Sequence, residues 1–333
     1  MDSVVKALKK CGLRLMDLPN VIGVGYGHKH VGGRNTGKDS LVVLVEKKVP
    51  LEELNSNHVI PRSMNQCLVD VVEVGEVVAL GRTGRQRPAR PGLSIGHFRV
   101  TAGTFGAVVY DVKTGEPLIL SNNHVLANSS NGSDGRAKVG DAVLQPGKYD
   151  GGTDEDIIAR LYKFAPIELE VSEPDCKIAS IAQKLLNRVV RRIRRNYEVK
   201  IERFSSATNL VDAAVARPLS KDLVTEDIID LGIPKGTSEA VVGQKVKKSG
   251  RTSGTNSGEV KVVHATIKIG MGEIGTATFT DQVLTTRMAQ PGDSGSVVLD
   301  EYNRVCGLLS AGSDTVSVFG RIQNVCEVLG VRF

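Results

Sequence analysis

The rhythm of apolar and polar positions changes several times along this chain. In the first twenty residues, Val4, Val5, Leu8, Leu13 and Met16 recur at spacings that suit a short amphipathic helix. Three Val- and Ile-rich runs follow, 21–27, 41–49 and 66–80, bordered by Gly and polar residues, and they read as strands. Helix and strands together predict a small α+β domain over residues 1–80. The next stretch, GRTGRQRPARPG at 81–92, reads as an exposed basic linker extending to about residue 99. From about residue 100 to 333, short Val/Ile/Leu stretches alternate with Gly, Asn, Asp and Ser, as in FGAVVYDV, GEVKVVHATIKIG and RVCGLLSAG. Many short strands at close spacing predict antiparallel barrels or sandwiches, so the fold class is mainly β. One segment breaks that texture. Over about 172–199, Ile178, Ile181, Leu185, Val189 and Ile193 mark a helical face, with Ser172 and Asp175 as a capping box at its start.

Bulk properties narrow the picture. A chain of 333 residues accommodates roughly two domains, and 41% hydrophobic with 24% charged residues is an ordinary globular composition. No apolar run approaches the ~20 residues of a membrane-spanning helix. The first twenty residues lack the continuous apolar core of a secretory signal, so a cytoplasmic protein with no membrane association is expected. Cys11, Cys67, Cys176, Cys306 and Cys326 are scattered, without a CxxC pair or a His at zinc-finger spacing. Reduced thiols are expected, with no disulfide framework, metal or cofactor. The net charge of +6 is concentrated in 82–90 and 184–195. The second run gives the inserted helix Lys184, Arg188, Arg191, Arg192, Arg194 and Arg195, read as a solvated face or a site for a regulatory protein partner, with nucleic acid the lesser alternative.

Three motifs carry chemistry. In QPGDSGSVVLD (290–300), Gly292 and Gly295 flank Asp293-Ser294 and permit the tight turn that a nucleophilic serine needs. The N–H groups of Gly292 and Ser294 are then the natural donors to an oxyanion. In ILSNNHVLA (119–127), His124 follows a polar Ser-Asn-Asn and is a candidate general base. In NLVDAAVARPL (209–219), Asp212 lies in an apolar run where an unpaired carboxylate would be costly, so an imidazole N–H is a fitting partner. Asp156 in DEDIIARL competes for that role, although its acidic neighbours suggest an exposed turn.

His124, Asp212 and Ser294, in that order, resemble the motifs of the chymotrypsin-like (trypsin-like) serine peptidases. More narrowly, LSNNHVLA, GRTSG and GDSGS after a small α+β leader are similar to the narrow-leaf-type trypsin-like peptidases of bacteria and plants. The resemblance implies a double antiparallel β-barrel carrying the helical insertion, and a serine endopeptidase that acts on a protein or peptide. It also implies that CGLLSAG (306–312) places Ser310, Ala311 and Gly312 at the rim of the primary pocket. Met288, six residues before the serine, stands where trypsin-like members read charge, so a small or medium-sized apolar residue is expected in the substrate. The gap from His124 to Asp212 is longer than the compact pattern, and the helical insertion accounts for it. The family's processed N-terminus has no counterpart here, so an internal Arg or backbone donor is expected to hold Asp293. The leader or basic insertion would then gate the cleft in a regulated enzyme. The competing reading is a catalytically silent scaffold that binds its partner through the basic helix.

Three other segments imitate known sites. GGRNTGKD (32–39) has Asp39 where a phosphate loop needs a hydroxyl, so a hairpin loop is expected. GVGYG (23–27) lacks the third Gly and the helix of a dinucleotide site. GRTSGTNSG (250–258) reads as a loop at the cleft edge, facing substrate.

Overall fold

The computed structural model describes residues 2–75, 81–99, 102–172 and 176–333. Its contacts divide the chain into two compact units, Met1–Leu80 and Gly81–Phe333.

In the first unit the helix Asp2–Met16 packs on a four-stranded sheet. Strands Val21–Val31 and Arg34–Val45 form an antiparallel hairpin, and Cys67–Glu73 runs parallel to the second of them. Leu41, Val43 and Val45 alternate with less buried neighbours and face the helix. The helix buries Val4, Ala7, Cys11 and Leu15, whereas Val5, Leu13 and Met16 of the expected face are exposed. The buried positions are spaced by three and four, but two of them are small residues that an apolar count overlooks. The GGRNTGKD segment is the tip of the hairpin: Gly32 and Gly33 turn it with φ of 57° and 77°, a conformation that suits glycine.

The segment expected to be an exposed linker is built into the second unit. Ala89, Leu93 and Ile95 are fully buried, and Arg82 reaches Ser249 Oγ (2.6 Å) and the Gly250 carbonyl oxygen (3.0 Å). Arg87 and Arg90 reach Gln145 and Asp227. Composition pointed outward because Arg and Pro are usually exposed, but here each of these guanidinium groups finds a fixed acceptor.

Beyond it stand two antiparallel β systems. One is an eight-stranded curled sheet that includes Ala107–Asp111, Pro117–Ser121, Ile157–Phe164 and Ala214–Pro218. The other is a closed six-stranded barrel made of Lys245–Gly250, Gly254–Gly270, Thr276–Thr286, Val297–Asp300, Val305–Gly312 and Val316–Arg321. The mainly β, double-barrel architecture is as the motifs imply. In Pro117–Ser121, Ile119 joins one core and Leu118 and Leu120 another, so this strand is covered on both faces and reads as a continuous apolar run. The barrel interior holds Val246, Val260, Val283, Val298, Leu309 and Phe319. The inserted helix spans Lys177–Ile193. Asp175 of the expected capping box lies outside the described residues, and Ser172 ends a short strand, Val171–Ser172.

Phe319 is fully buried in the barrel interior, so Phe319→Ala is expected to lower unfolding stability by about 3–5 kcal/mol. Chemical denaturation checks this: the midpoint falls while the slope is kept.

Candidate active site

His124 sits in the single helical turn Asn123–Leu126 that follows the strand Pro117–Ser121. The polar Ser-Asn-Asn before it is fully buried, and each of its side chains donates to a fixed acceptor. Ser121 Oγ donates to the Thr104 carbonyl oxygen at 2.8 Å, Asn122 Nδ2 to that of Asp212 at 2.7 Å, and Asn123 Nδ2 to those of Ser130 and Ala165. The Asn122 bond fastens the histidine turn to the segment that carries the aspartate. Asp212 then holds His124 twice, accepting from its backbone N–H at 3.1 Å and from ring Nδ1 at 2.5 Å. Burial opposes the imidazolium, but the adjacent Asp212 carboxylate outweighs it and holds His124 above the ordinary imidazole value. Asp156 is elsewhere: it closes a capping box with Thr153 and pairs with Arg85 at 3.0 Å.

Ser294 lies in a turn whose shape needs its glycines. Gly292 has φ of 97°, and a Cβ there would come within 2.3 Å of Thr252 Oγ1. Gly295 has φ of 93°, and a Cβ would meet Ser121 Oγ at 2.1 Å. The carbonyls of this turn are tied back, with the Thr104 N–H donating to the Ser294 oxygen at 2.7 Å and Thr104 Oγ1 to the Gly292 oxygen at 2.9 Å. The N–H groups of Gly292 and Ser294 take no acceptor among the described residues. The Ser294 hydroxyl donates to the Ser310 carbonyl oxygen at 3.3 Å, so its proton is not directed at His124 in this state. Such bonds often tighten only when substrate is bound.

Beneath the turn lies a feature that the motifs do not announce. Asp293 is completely buried and accepts from five donors. They are Lys248 Nζ (2.7 Å), the N–H groups of Thr252 (2.9 Å), Ser253 (3.0 Å) and Gln290 (2.9 Å), and the Ser253 hydroxyl. Backbone donors are among them, and the internal cation is a lysine, not an arginine. Burial would raise the Asp293 pKa, but Lys248 and the Ser253 donors outweigh it and hold it below the usual carboxylate range. Lys248 is itself fully buried, and desolvation pulls its pKa below the ordinary ammonium value despite Asp293. The GRTSG stretch is therefore not a substrate-facing loop: Arg251–Ser253 forms the turn that cradles this carboxylate.

His124 and Ser294 meet at one cleft of 690 Å³, bounded by Ser310, Ala311 and Gly312 and by the hairpin tip around Ile267–Ile274. A smaller cavity of 310 Å³ shares Ser294, Ala311 and Gly312 and is lined further by Arg287, Ala289, Leu309 and Asp314. Met288 lines neither. Its side chain is in the barrel interior with Phe319, its N–H bonded to Ser317 Oγ at 3.0 Å, and its neighbours Arg287 and Ala289 reach the cavity instead. Among the described residues no group of three His, Cys, Asp or Glu side chains is placed to hold a metal ion.

Removing one member of a buried ion pair strands the other, so Lys248→Met is expected to cost about 3–5 kcal/mol of stability. Adding Asp293→Asn recovers most of that loss, because no charge is left unpaired. Denaturant titration of the wild type and both variants checks the order.

Sequence comparison finds local relatives among bacterial proteases. Serine protease 2 of Streptomyces fradiae is 38% identical over 78 residues, which is 23% of this chain and 42% of that protein. Streptogrisin-D of Streptomyces griseus is 38% identical over 93 residues, 27% of this chain and 22% of that one. The chain thus spans less than half the length of either relative. No family model matches. Among solved structures, Nocardiopsis protease (NAPase) aligns at 16% identity over 73% of this chain and 98% of its own, with a TM-score of 0.47. Protease A of Thermobifida fusca aligns at 17% over 73% and 98%, with a TM-score of 0.46. Motif order and the sequence relatives agree: the chain resembles the trypsin-like serine peptidases.

Proposed function

We propose that this chain is a serine endopeptidase in which Ser294 is the nucleophile, His124 its general base and Asp212 the group that orients the base. The observation that carries the reading is the Asp212–His124 bond of 2.5 Å at the same cleft as a serine in a glycine-flanked turn. Substrate binding turns the Ser294 hydroxyl from Ser310 toward the free ring nitrogen of His124. The hydroxyl oxygen attacks the scissile carbonyl while His124 takes its proton. The Gly292 and Ser294 N–H groups receive the oxyanion. His124 then protonates the leaving amine, and water, activated by the same ring, releases the acyl group. Ser310 to Gly312 lie along the cleft, where an extended substrate backbone adds to the strand Val305–Gly312.

The smaller cavity is the place for the side chain on the acyl side of the bond. Ala289 and Leu309 supply apolar wall, while Arg287 is half-exposed, with Nη1 4.0 Å from a carboxylate oxygen of Asp314. Met288 has no part in this selection.

Ser294→Ala is expected to abolish labelling by a fluorophosphonate probe and to cut peptide hydrolysis at least about a thousandfold. A purified wild-type chain that neither labels nor cleaves under any condition would instead favour the silent scaffold. Because His124 is held above its ordinary value, kcat/KM is expected to rise with pH through an inflection above 6.5, as the ring loses its proton. Asp212→Asn leaves only the burial that disfavours charge, so the inflection moves down while the rate drops by about four orders of magnitude. Arg287→Glu is expected to raise the preference for basic over acidic side chains by about tenfold, measured as a ratio of kcat/KM values.

A further inference from the structure

The basic helix is attached by the face that would ordinarily be left outside. Asn187 is nearly buried and bonds both the N–H and the carbonyl of Val199, and Gln183 Oε1 accepts from the Ile201 N–H at 2.8 Å. Polar side chains thus dock the helix on its own return segment. At about 100° per residue, the aliphatic stripe then points away from that attachment. Ile178, Ile181, Leu185, Leu186, Val189 and Ile193 are all exposed, from 47% for Leu186 to 77% for Ile178. Isolated exposed apolar residues are ordinary, but six on one helix face are not.

Charge selects the occupant. Residues 177–195 hold seven Lys and Arg and no Asp or Glu. Lys184, Arg188, Arg191 and Arg192 fall along one flank of the stripe, and the nearby Glu198 pairs weakly with Arg191 at 3.5 Å. A second copy laid face to face would oppose seven cations with seven. The stripe is a convex ridge, which suits a deformable surface better than a shaped partner. Exposed Tyr197 and Phe204 lie on the same excursion.

We propose that this helix lies in the interface of an anionic phospholipid bilayer, its aliphatic stripe among the upper acyl chains and its flanking cations on the headgroups. A basic helix with an apolar stripe on one face and cations beside it has the properties this requires. No described helix is long and apolar enough to cross a membrane, so the association is peripheral. It does not depend on Ser294 being catalytic.

Flotation of the full chain with vesicles tests this. The wild type is expected to float with phosphatidylcholine vesicles containing phosphatidylglycerol, less with rising salt, and not with phosphatidylcholine alone. Ile181→Asp with Leu185→Asp, both at exposed positions, is expected to weaken flotation at least about tenfold with an unchanged thermal transition. Arg188→Gln with Arg191→Gln provides a second, independent loss. Absence of wild-type binding to the anionic vesicles, or binding that the aspartates leave unchanged, would overturn the proposal. So would a lipid-free dimer that the aspartates dissociate.

Discussion

The Ser294 turn depends on a pair of charges that water cannot reach. Lys248 and Asp293 are both fully buried, and neither is tolerable alone. Their attraction, with three backbone N–H groups and the Ser253 hydroxyl completing the carboxylate, fixes where the residue before Ser294 must sit. The turn then has little freedom left: Gly292 and Gly295 take the backbone conformations it requires, and Thr104 binds its carbonyls. Among the described residues, the N–H groups of Gly292 and Ser294 are what remains unengaged once the other polar groups of the turn have found partners. The lysine belongs to a barrel strand 45 residues upstream, so the barrel itself supplies the charge that holds the turn.

The other half of the site is held by a similar economy. A histidine base needs one fixed nitrogen and one free. Asp212 fixes Nδ1 and also grips the backbone N–H, while Asn122 ties its side-chain amide to the Asp212 carbonyl. The two segments are thereby joined at three points, although 88 residues separate them in the chain. The long gap costs little here because the inserted helix leaves and returns through one short ribbon, Val171–Ser172 paired with Arg203–Phe204.

Much of this is legible in the sequence. His124, Asp212 and Ser294 stand in motifs whose neighbours explain them, and the change from helical to alternating periodicity separates the β architecture from the insertion. The misreadings have physical causes. Counting back from the serine leads to Met288, but such a count does not show which way a side chain turns at the end of a strand. The motifs lead one to expect an Arg or a backbone donor at Asp293, and nothing in composition marks Lys248 off from the lysines beside it. Period-two alternation does hold the clue, since Lys248 shares its parity with inward-facing Val246, whereas Lys245 and Lys247 point the other way. Residues 81–99 look like a linker because composition reports the habits of Arg, not its partners. On the first helix, Ala7 and Cys11 are too small to register as a buried face.

The ribbon that carries the inserted helix begins next to Glu170, and Glu170 is stitched to the cleft. Its N–H donates to the Thr276 carbonyl oxygen at 2.8 Å, and its carboxylate takes Thr278 Oγ1 at 2.6 Å and Lys268 Nζ at 2.9 Å. These residues belong to the hairpin whose tip lines the same cleft as Ser310. The excursion is thus tied through Glu170 to the hairpin that lines the cleft, and not to the Lys248–Asp293 pair beneath the Ser294 turn. One wall of the cleft shares its hydrogen bonds with the root of an insertion, while the turn on the other wall rests on a lysine of the barrel.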